Sequence, residues 1–243
     1  MSKEKLDLKD VTLVTLDISY AELTQLAMQE CLQHASFGDV KIFTNKRDFP
    51  NGFFIGDLVV TDLQDFYTLV LPKYIKTSHV LFFQWDSWII DPGMWKQEFL
   101  EYDYIGAPWW YNDGLNVGNA GFCLRSKTMM DFFMEHPKEF PITVPEDNLL
   151  CRHYRPLLPQ FKWAPEDLAH DFAFERTRKS IESRHFGYHG VFNWPFIMNG
   201  EKLAERMALA RKNPYIANSS GFKEIDDLAN AFWVNRNLTM VRA

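Results

Sequence analysis

Four short segments carry side chains with chemistry to offer. The apolar run HVLFFQWD (His79 to Asp86) ends in the polar set Gln84, Asp86 and Ser87. A carboxylate closing a buried strand is hydrogen-bonded or holds a cation. A divalent ion bridging a diphosphate is one client for Asp86, and a turn or capping role is the other. An Asp-x-Asp pair would bind an ion more firmly, but Trp88 stands at the second position and Asp91 is the only nearby substitute. Gly118, Asn119, Ala120 and Gly121 form a loop whose backbone can approach a sugar or phosphate closely. The PED at Pro145 to Asp147 puts Glu146 and Asp147 in the first turn of a helix, where the macrodipole favours negative charge. They cap that helix, or one of them takes a proton from an attacking hydroxyl. His189, between the glycines of FGYHG (Phe186 to Gly190), is read on a structureless break, as a metal or phosphate ligand or a plain surface-loop histidine.

Two further groups compete with these. A second PED, Pro165 to Asp167, precedes His170, Asp171 and Glu175, whose spacing suggests a metal cluster on one helix face or ordinary first-turn caps. Trp85, Trp88, Trp109 and Trp110 offer flat faces to sugar rings or bases, or fill an aromatic core.

These residues need elements to position them. VTLVTL (Val11 to Leu16) is a β-rich run, and Ser19 with Glu22 forms a capping-box signature for a helix carrying Leu23, Leu26, Ala27, Cys31 and Ala35. Gly38-Asp39 then leads into VKIF (Val40 to Phe43). This β-α-β unit predicts parallel strands with ligands beyond their carboxyl ends, where Thr15, Asp17, Thr44 and Asn45 stand. His79 to Asp86 reads as a central strand, with a helix near residues 65–74 before it that Pro72 weakens. GNAGFCLRSKTMMDFFMEHP reads as loop, short strand and helix, PEDNLLCRHYRPLL as a second short helix, and residues 201–212 as a polar helix.

Composition bounds the rest. The chain has 243 residues, 47 % hydrophobic and 24 % charged, which excludes a disulfide-stapled mini-protein and wholesale disorder. A net charge of −6 argues against bulk binding to nucleic-acid backbone, while a local strand groove stays open. No apolar stretch is long enough to span a membrane and no signal-peptide core follows the charged amino terminus, so a cytoplasmic protein is expected. Cys31, Cys123 and Cys151 are widely spaced among apolar residues and read as buried thiols. One domain over residues 1–243 is expected, with a core of about 11–194 and a less regular segment 195–243.

VLFFQWDSWII, YDYIGAPWW, VGNAGFCLRSK, PEDNLLC, APEDLAHDFAFE and FGYHG, in that order, resemble the glycosyltransferase-like proteins of bacteria and viruses related to nucleotide-sugar transferases of the GT-A fold. The resemblance spans about Val11 to Trp194. It implies an α/β, GT-A-like (Rossmann-like) fold with a mainly parallel central sheet flanked by helices, and transfer of a sugar from a nucleoside-diphosphate sugar to an acceptor hydroxyl, inverting and metal-assisted. Mn²⁺ or Mg²⁺ would be held by Asp86 with His189, His185 being its rival. The nucleotide would lie near Thr15, Asp17, Gln84 and Asp86. Trp85, Trp109, Trp110, Gly118, Asn119, Ala120 and Gly121 would bind sugar, and Asp147, or else Glu146, would be the base. The acceptor could be a glycan, a small molecule, a protein or a modified nucleic-acid base. The alternatives are a nucleotide-sugar or glycan-binding module with reduced turnover, and a metal-dependent phosphoester hydrolase built on His170, Asp171 and Glu175.

Overall fold

The computed structural model describes residues 4–49, 52–55, 66–111, 113–142, 145–176 and 183–225. Strand β1 (Leu6–Asp17) begins earlier than the VTLVTL run, and its buried stretch starts at Val11. Helix α1 (Ala21–His34) follows, then β2 (Ala35–Thr44), parallel to β1 and running on to β3 (Gly52–Phe54). The β-α-β unit is thus present, but its helix starts differently. No side chain caps α1 at Tyr20; instead the Asp17 carboxylate accepts from the Ser19 and Tyr20 amides at 2.8 and 2.7 Å. A carboxylate two to three residues upstream does the orienting that Ser19 was expected to do.

Strand β4 (His79–Phe83) is buried at all five positions because it lies between β1 and β7 (Phe122–Ser126). It stops three residues short of Asp86. Gln84 to Asp86 form a turn, closed by the Ser87 amide on the Gln84 carbonyl, and β5 (Ser87–Ile89) leaves in a second sheet. The six-stranded sheet has the order β3-β2-β1-β4-β7-β6, with β6 at Tyr104–Gly106. β7 runs antiparallel to both its neighbours while the other pairings are parallel, so the sheet is mixed with a mainly parallel body. α2 (Lys127–Glu135) follows β7, its first turn capped by Ser126 Oγ accepting from the Met129 amide. The segment from 66 to 74 is a π turn and a 3₁₀ turn rather than an α-helix, with Pro72 in the second; residue 65 lies outside the described residues.

α3 (Glu146–Asn148) opens the PED helix, which continues as a π turn to Tyr154. α4 (Glu166–Phe172) leads into β8 (Ala173–Phe174), and β9 (Gly187–His189) completes a three-stranded sheet of order β5-β9-β8. All three cysteines are buried and unbridged, and burial pushes the Cys31 thiol up to about 12.

The chain forms two compact units, Met1–His189 and Gly190–Ala243. The second holds α5 (Trp194–Ile197), α6 (Gly200–Arg211) and α7 (Pro214–Ala217), with Trp194, Met207, Ala210 and Ile216 buried. No described helix is long and apolar enough to cross a membrane.

Candidate functional site

The small sheet brings the site together. β5 and β9 pair antiparallel with Ser87 opposite His189, so the turn after β4 delivers Asp86 beside the imidazole. His189 is therefore on a strand, not on a structureless break: Gly187 is needed there for space, since a Cβ would lie 2.1 Å from the Phe122 ring, and Gly190 turns the chain away at φ 103°. His189 Nε2 stands 3.6 Å from Asp86 Oδ1, and Nδ1 donates to Glu175 Oε1 at 2.9 Å. Glu175 follows β8, which pairs with β9.

The glycine loop packs under this cluster. A Cβ on Gly121 would come within 2.1 Å of the His189 ring, so only glycine lets the ring lie there. Asn119 is in the left-handed region at φ 68°. Its Oδ1 accepts from the Gly121 and Phe122 amides, and its Nδ2 reaches Glu175 and lies 3.0 Å from His189 Nδ1. Asn is among the few residues that tolerate this conformation, because its short amide bonds the local backbone. Ser87 Oγ donates to the Gly121 carbonyl at 2.6 Å and fastens the loop to β5. Gly118 lies against the Trp109 indole, and Gly106 against the Gly118 carbonyl.

Asp147 reaches the same loop, its Oδ2 accepting from the Ala120 amide at 3.2 Å. Its neighbour Glu146 is engaged elsewhere, paired at 3.1 Å with Arg125, a buried guanidinium that also donates to Cys123 Sγ and lies over the Phe82 and Tyr104 rings. Of the two PED carboxylates, Asp147 is the one on the loop.

Charge follows from this crowding. Burial raises the Asp147 carboxyl above its ordinary value and Glu146 adds to the effect. Burial works against a charged His189, but Asp86, Glu175 and Asp147 outweigh it and lift the imidazole to about 9. Burial likewise opposes a charged Glu175, and the hydrogen bond from His189 overrides it and keeps that carboxyl low. Three carboxylates around one imidazole suit a further cation. Among the described residues no set of three or more His, Cys, Asp or Glu stands ready to hold a metal; Asp86 and His189 are the pair that would hold one, the imidazole giving up its Nε2 proton to the ion. That set fits a hard divalent ion completed by phosphate and water oxygens. The Glu175 contact fits it as well, because a ligating imidazole usually donates its other N–H to a carboxylate.

The remaining predicted residues separate. Thr15 and Asp17 lie buried at the end of β1, and the second Asp17 oxygen has no hydrogen-bond partner among the described residues. Trp85 is half-buried with its ring 5.2 Å from Tyr20, linking the Asp86 turn to the start of α1. Gln84 contributes its amide to Ser87 Oγ. Trp88 and Trp109 belong to the interior, Trp88 against Tyr188 and Trp109 over Gly118, whereas Trp110 is 53 % exposed. Asp91 caps a 3₁₀ turn and pairs with Arg184, so it does not substitute for a second metal aspartate. His185 is buried with Nδ1 on the His170 carbonyl. The second carboxylate cluster disperses: His170 faces Glu166, Asp171 pairs with Lys96, and Glu175 lies beyond the end of α4 on His189. The hydrolase reading loses its cluster there. Sequence reasoning misses Arg125 and the role of Glu175, and places Ser87 in the polar strand end without its bond to the Gly121 carbonyl; nothing in their spacing signals these roles, since each acts on residues distant in sequence.

A hollow of about 380 Å³ lies at the end of β2 and the start of α1, lined by Glu22, Gln25, Asn45, Lys46, Arg47 and Phe49 among others. A larger one of about 570 Å³ surrounds His79 and Ser126 at the opposite end of β4 from Asp86, and no residue of the site lines it.

Among solved structures, the chain is similar to a glycosyltransferase involved in glycosylation of the major capsid of PBCV-1, at 12 % identity and TM-score 0.45 over 81 % of this chain and 96 % of that one. It is similar to the apo form of the glycosyltransferase GlyE of Streptococcus pneumoniae TIGR4, at 12 % identity and TM-score 0.48, covering 94 % of this chain but 64 % of that one. An active-site mutant of LgtC matches at 10 % identity and TM-score 0.40, over 86 % and 96 %. No curated protein matches the sequence. The model of the family DUF5672, described as a protein of unknown function, matches residues 58–189, more than half of the chain and the stretch that holds Asp86, Asn119, Asp147, Glu175 and His189; the chain belongs to that family.

Proposed function

We propose that this protein is a glycosyltransferase that moves a sugar from a nucleoside-diphosphate sugar to an acceptor hydroxyl with inversion and with help from a divalent ion. The observation that carries this reading is the meeting of Asp86, His189, Asn119 and Asp147 on one glycine loop beyond the carboxyl end of β4. Open α/β sheets bind ligands on that side. Asp17, with one unsatisfied buried oxygen, and the hollow beside Asn45 and Arg47 receive the nucleoside. Asp86 and His189 would hold Mn²⁺ or Mg²⁺, which supplies Lewis-acid relief of the charge on the departing diphosphate. Within the loop Gly118 to Gly121, the part-exposed Ala120 is where the backbone meets the sugar. Asp147 takes the proton from the acceptor hydroxyl, whose oxygen attacks the anomeric carbon on the face opposite the diphosphate. A raised carboxyl pKa suits that task, because a base works best when its pKa nears the working pH.

The test is release of nucleoside diphosphate from a panel of donor sugars. Wild type should release it with one nucleotide class, and Asp147→Asn should bind that donor equally while losing about 10²-fold or more in turnover. An Asp147→Asn protein with wild-type turnover would remove Asp147 as the base.

A further inference from the structure

Residues 108–111 and 113–117 make the two sides of an arm that runs straight into the glycine loop. Its root is closed by the Pro108–Val117 bridge and by the Trp109 amide donating to the Asn116 carbonyl at 2.7 Å. Residues 104–109 and 116–119 are buried, and the chain surfaces at Trp110 and again at 113–114.

This exposed tip is held unusually firmly. Arg152 donates to Asp113 Oδ2 at 2.5 Å and to the Leu115 carbonyl at 3.1 Å, and its guanidinium lies 3.8 Å over the Tyr111 ring. Tyr111 in turn has its ring centroid 5.5 Å from that of Trp110, at 34°. Asn116 Nδ2 donates to Glu166 at the root. Arg152 stands on the helix that begins with Glu146 and Asp147, so one element carries both the carboxylate on the loop and the clamp on the arm. Ordering a surface arm costs conformational entropy, and the contacts that offset it leave an indole 53 % exposed at the end.

We infer that Trp110 is a stacking platform for a sugar ring of the acceptor, and hence that the acceptor is an oligosaccharide or glycan chain rather than a small molecule or a folded protein surface. This rests on the transferase reading of the site. At about 3.3 Å per residue plus the width of one strand pair, Trp110 lies at most about 20 Å of chain path from Ala120, whose amide is bonded by Asp147. A short oligosaccharide covers that span with its reacting hydroxyl at the carboxylate. The surroundings suit a sugar, which presents an apolar ring face ringed by hydroxyls: an exposed indole beside the Tyr111 ring, on an arm whose Asp113 carboxylate is paired with the Arg152 guanidinium. A protein partner would need a broad apolar patch, and the described tip residues beside the rings, Asp113 and Gly114, supply none. Holding the indole rigid lowers the cost of ordering it on binding.

The test uses a printed library of defined mono- to tetrasaccharides probed with the full-length protein, followed by titration of the best binder by tryptophan fluorescence. Wild type should bind a subset of the di- to tetrasaccharides. Trp110→Ala should bind them roughly five- to ten-fold more weakly, Trp110→Phe should recover most of the loss, and Arg152→Ala should weaken binding by freeing the arm. Because Trp110 is exposed, its variants should unfold at the wild-type temperature, which separates lost binding from lost fold. Equal binding by Trp110→Ala, or no saccharide bound by wild type, overturns the inference. Donor binding is read separately: if no nucleotide sugar binds yet saccharides still bind through Trp110, the transferase reading fails and the platform stands.

Discussion

Asp147 and Glu146 are adjacent carboxylates with opposite assignments, and the buried Arg125 makes the difference. Glu146 is half of an ion pair, and Asp147 is left on the Ala120 amide with its pKa raised, first by burial and then by Glu146. A base must be ionised, so kcat should fall as pH drops through that pKa, and the acid limb should lie above the ordinary aspartate value of 3.8; a pH–rate profile reads it directly. Arg125→Met should cost about 1–3 kcal/mol in urea unfolding, because it leaves the part-buried Glu146 carboxylate without its cation. Glu175 acts on the opposite side of the site through His189 Nδ1. Glu175→Gln should weaken Mn²⁺ binding by about 10- to 100-fold, measured by the signal of free Mn²⁺ in electron paramagnetic resonance. Asp86, Asp147, His189 and the GNAG loop were legible because their residue types stand out against local pattern. Glu175 and Arg125 were not, since their partners lie 14 and 21 residues away across a sheet and a turn.

At the scale of elements, the β1-α1-β2 unit and β4 could be read from apolar runs and spacing, and β7 with α2 from the loop, strand and helix order. The second sheet could not. Its strands have two or three residues each, too short for alternation to show, and they form only because β9 has partners on both sides. Hence the apolar run alone places Asp86 at the end of β4 although it sits in the turn beyond it, and the flanking glycines alone place His189 on a break although it pairs with Ser87. The same dependence predicts where this sheet is fragile. Gly187→Ala would drive a Cβ to 2.1 Å from the Phe122 ring, and should destabilise the protein by about 1–3 kcal/mol in urea unfolding. Gly114→Ala meets no atom within 4 Å, bears only the strain of its φ of 78°, and should cost less.

For the whole molecule, a net charge of −6 coexists with a hollow where Lys46 and Arg47 stand among Glu22 and Asp48 and with an acidic cluster around His189, so a cation and the diphosphate it neutralises can share the face at the ends of β1, β2 and β4. Binding that depends on both partners together is the central claim. Thermal unfolding against UDP-, GDP-, CMP- and dTDP-sugars, each with Mn²⁺ and with EDTA, tests it most directly. A donor at about 100 times its dissociation constant adds ~2.7 kcal/mol, which raises the midpoint by several degrees in a chain of this length. The account predicts such a rise for one nucleotide class, present with Mn²⁺, reduced in EDTA and lost in Asp86→Asn. No rise with any donor at saturating concentration, or an equal rise in Asp86→Asn, would contradict it.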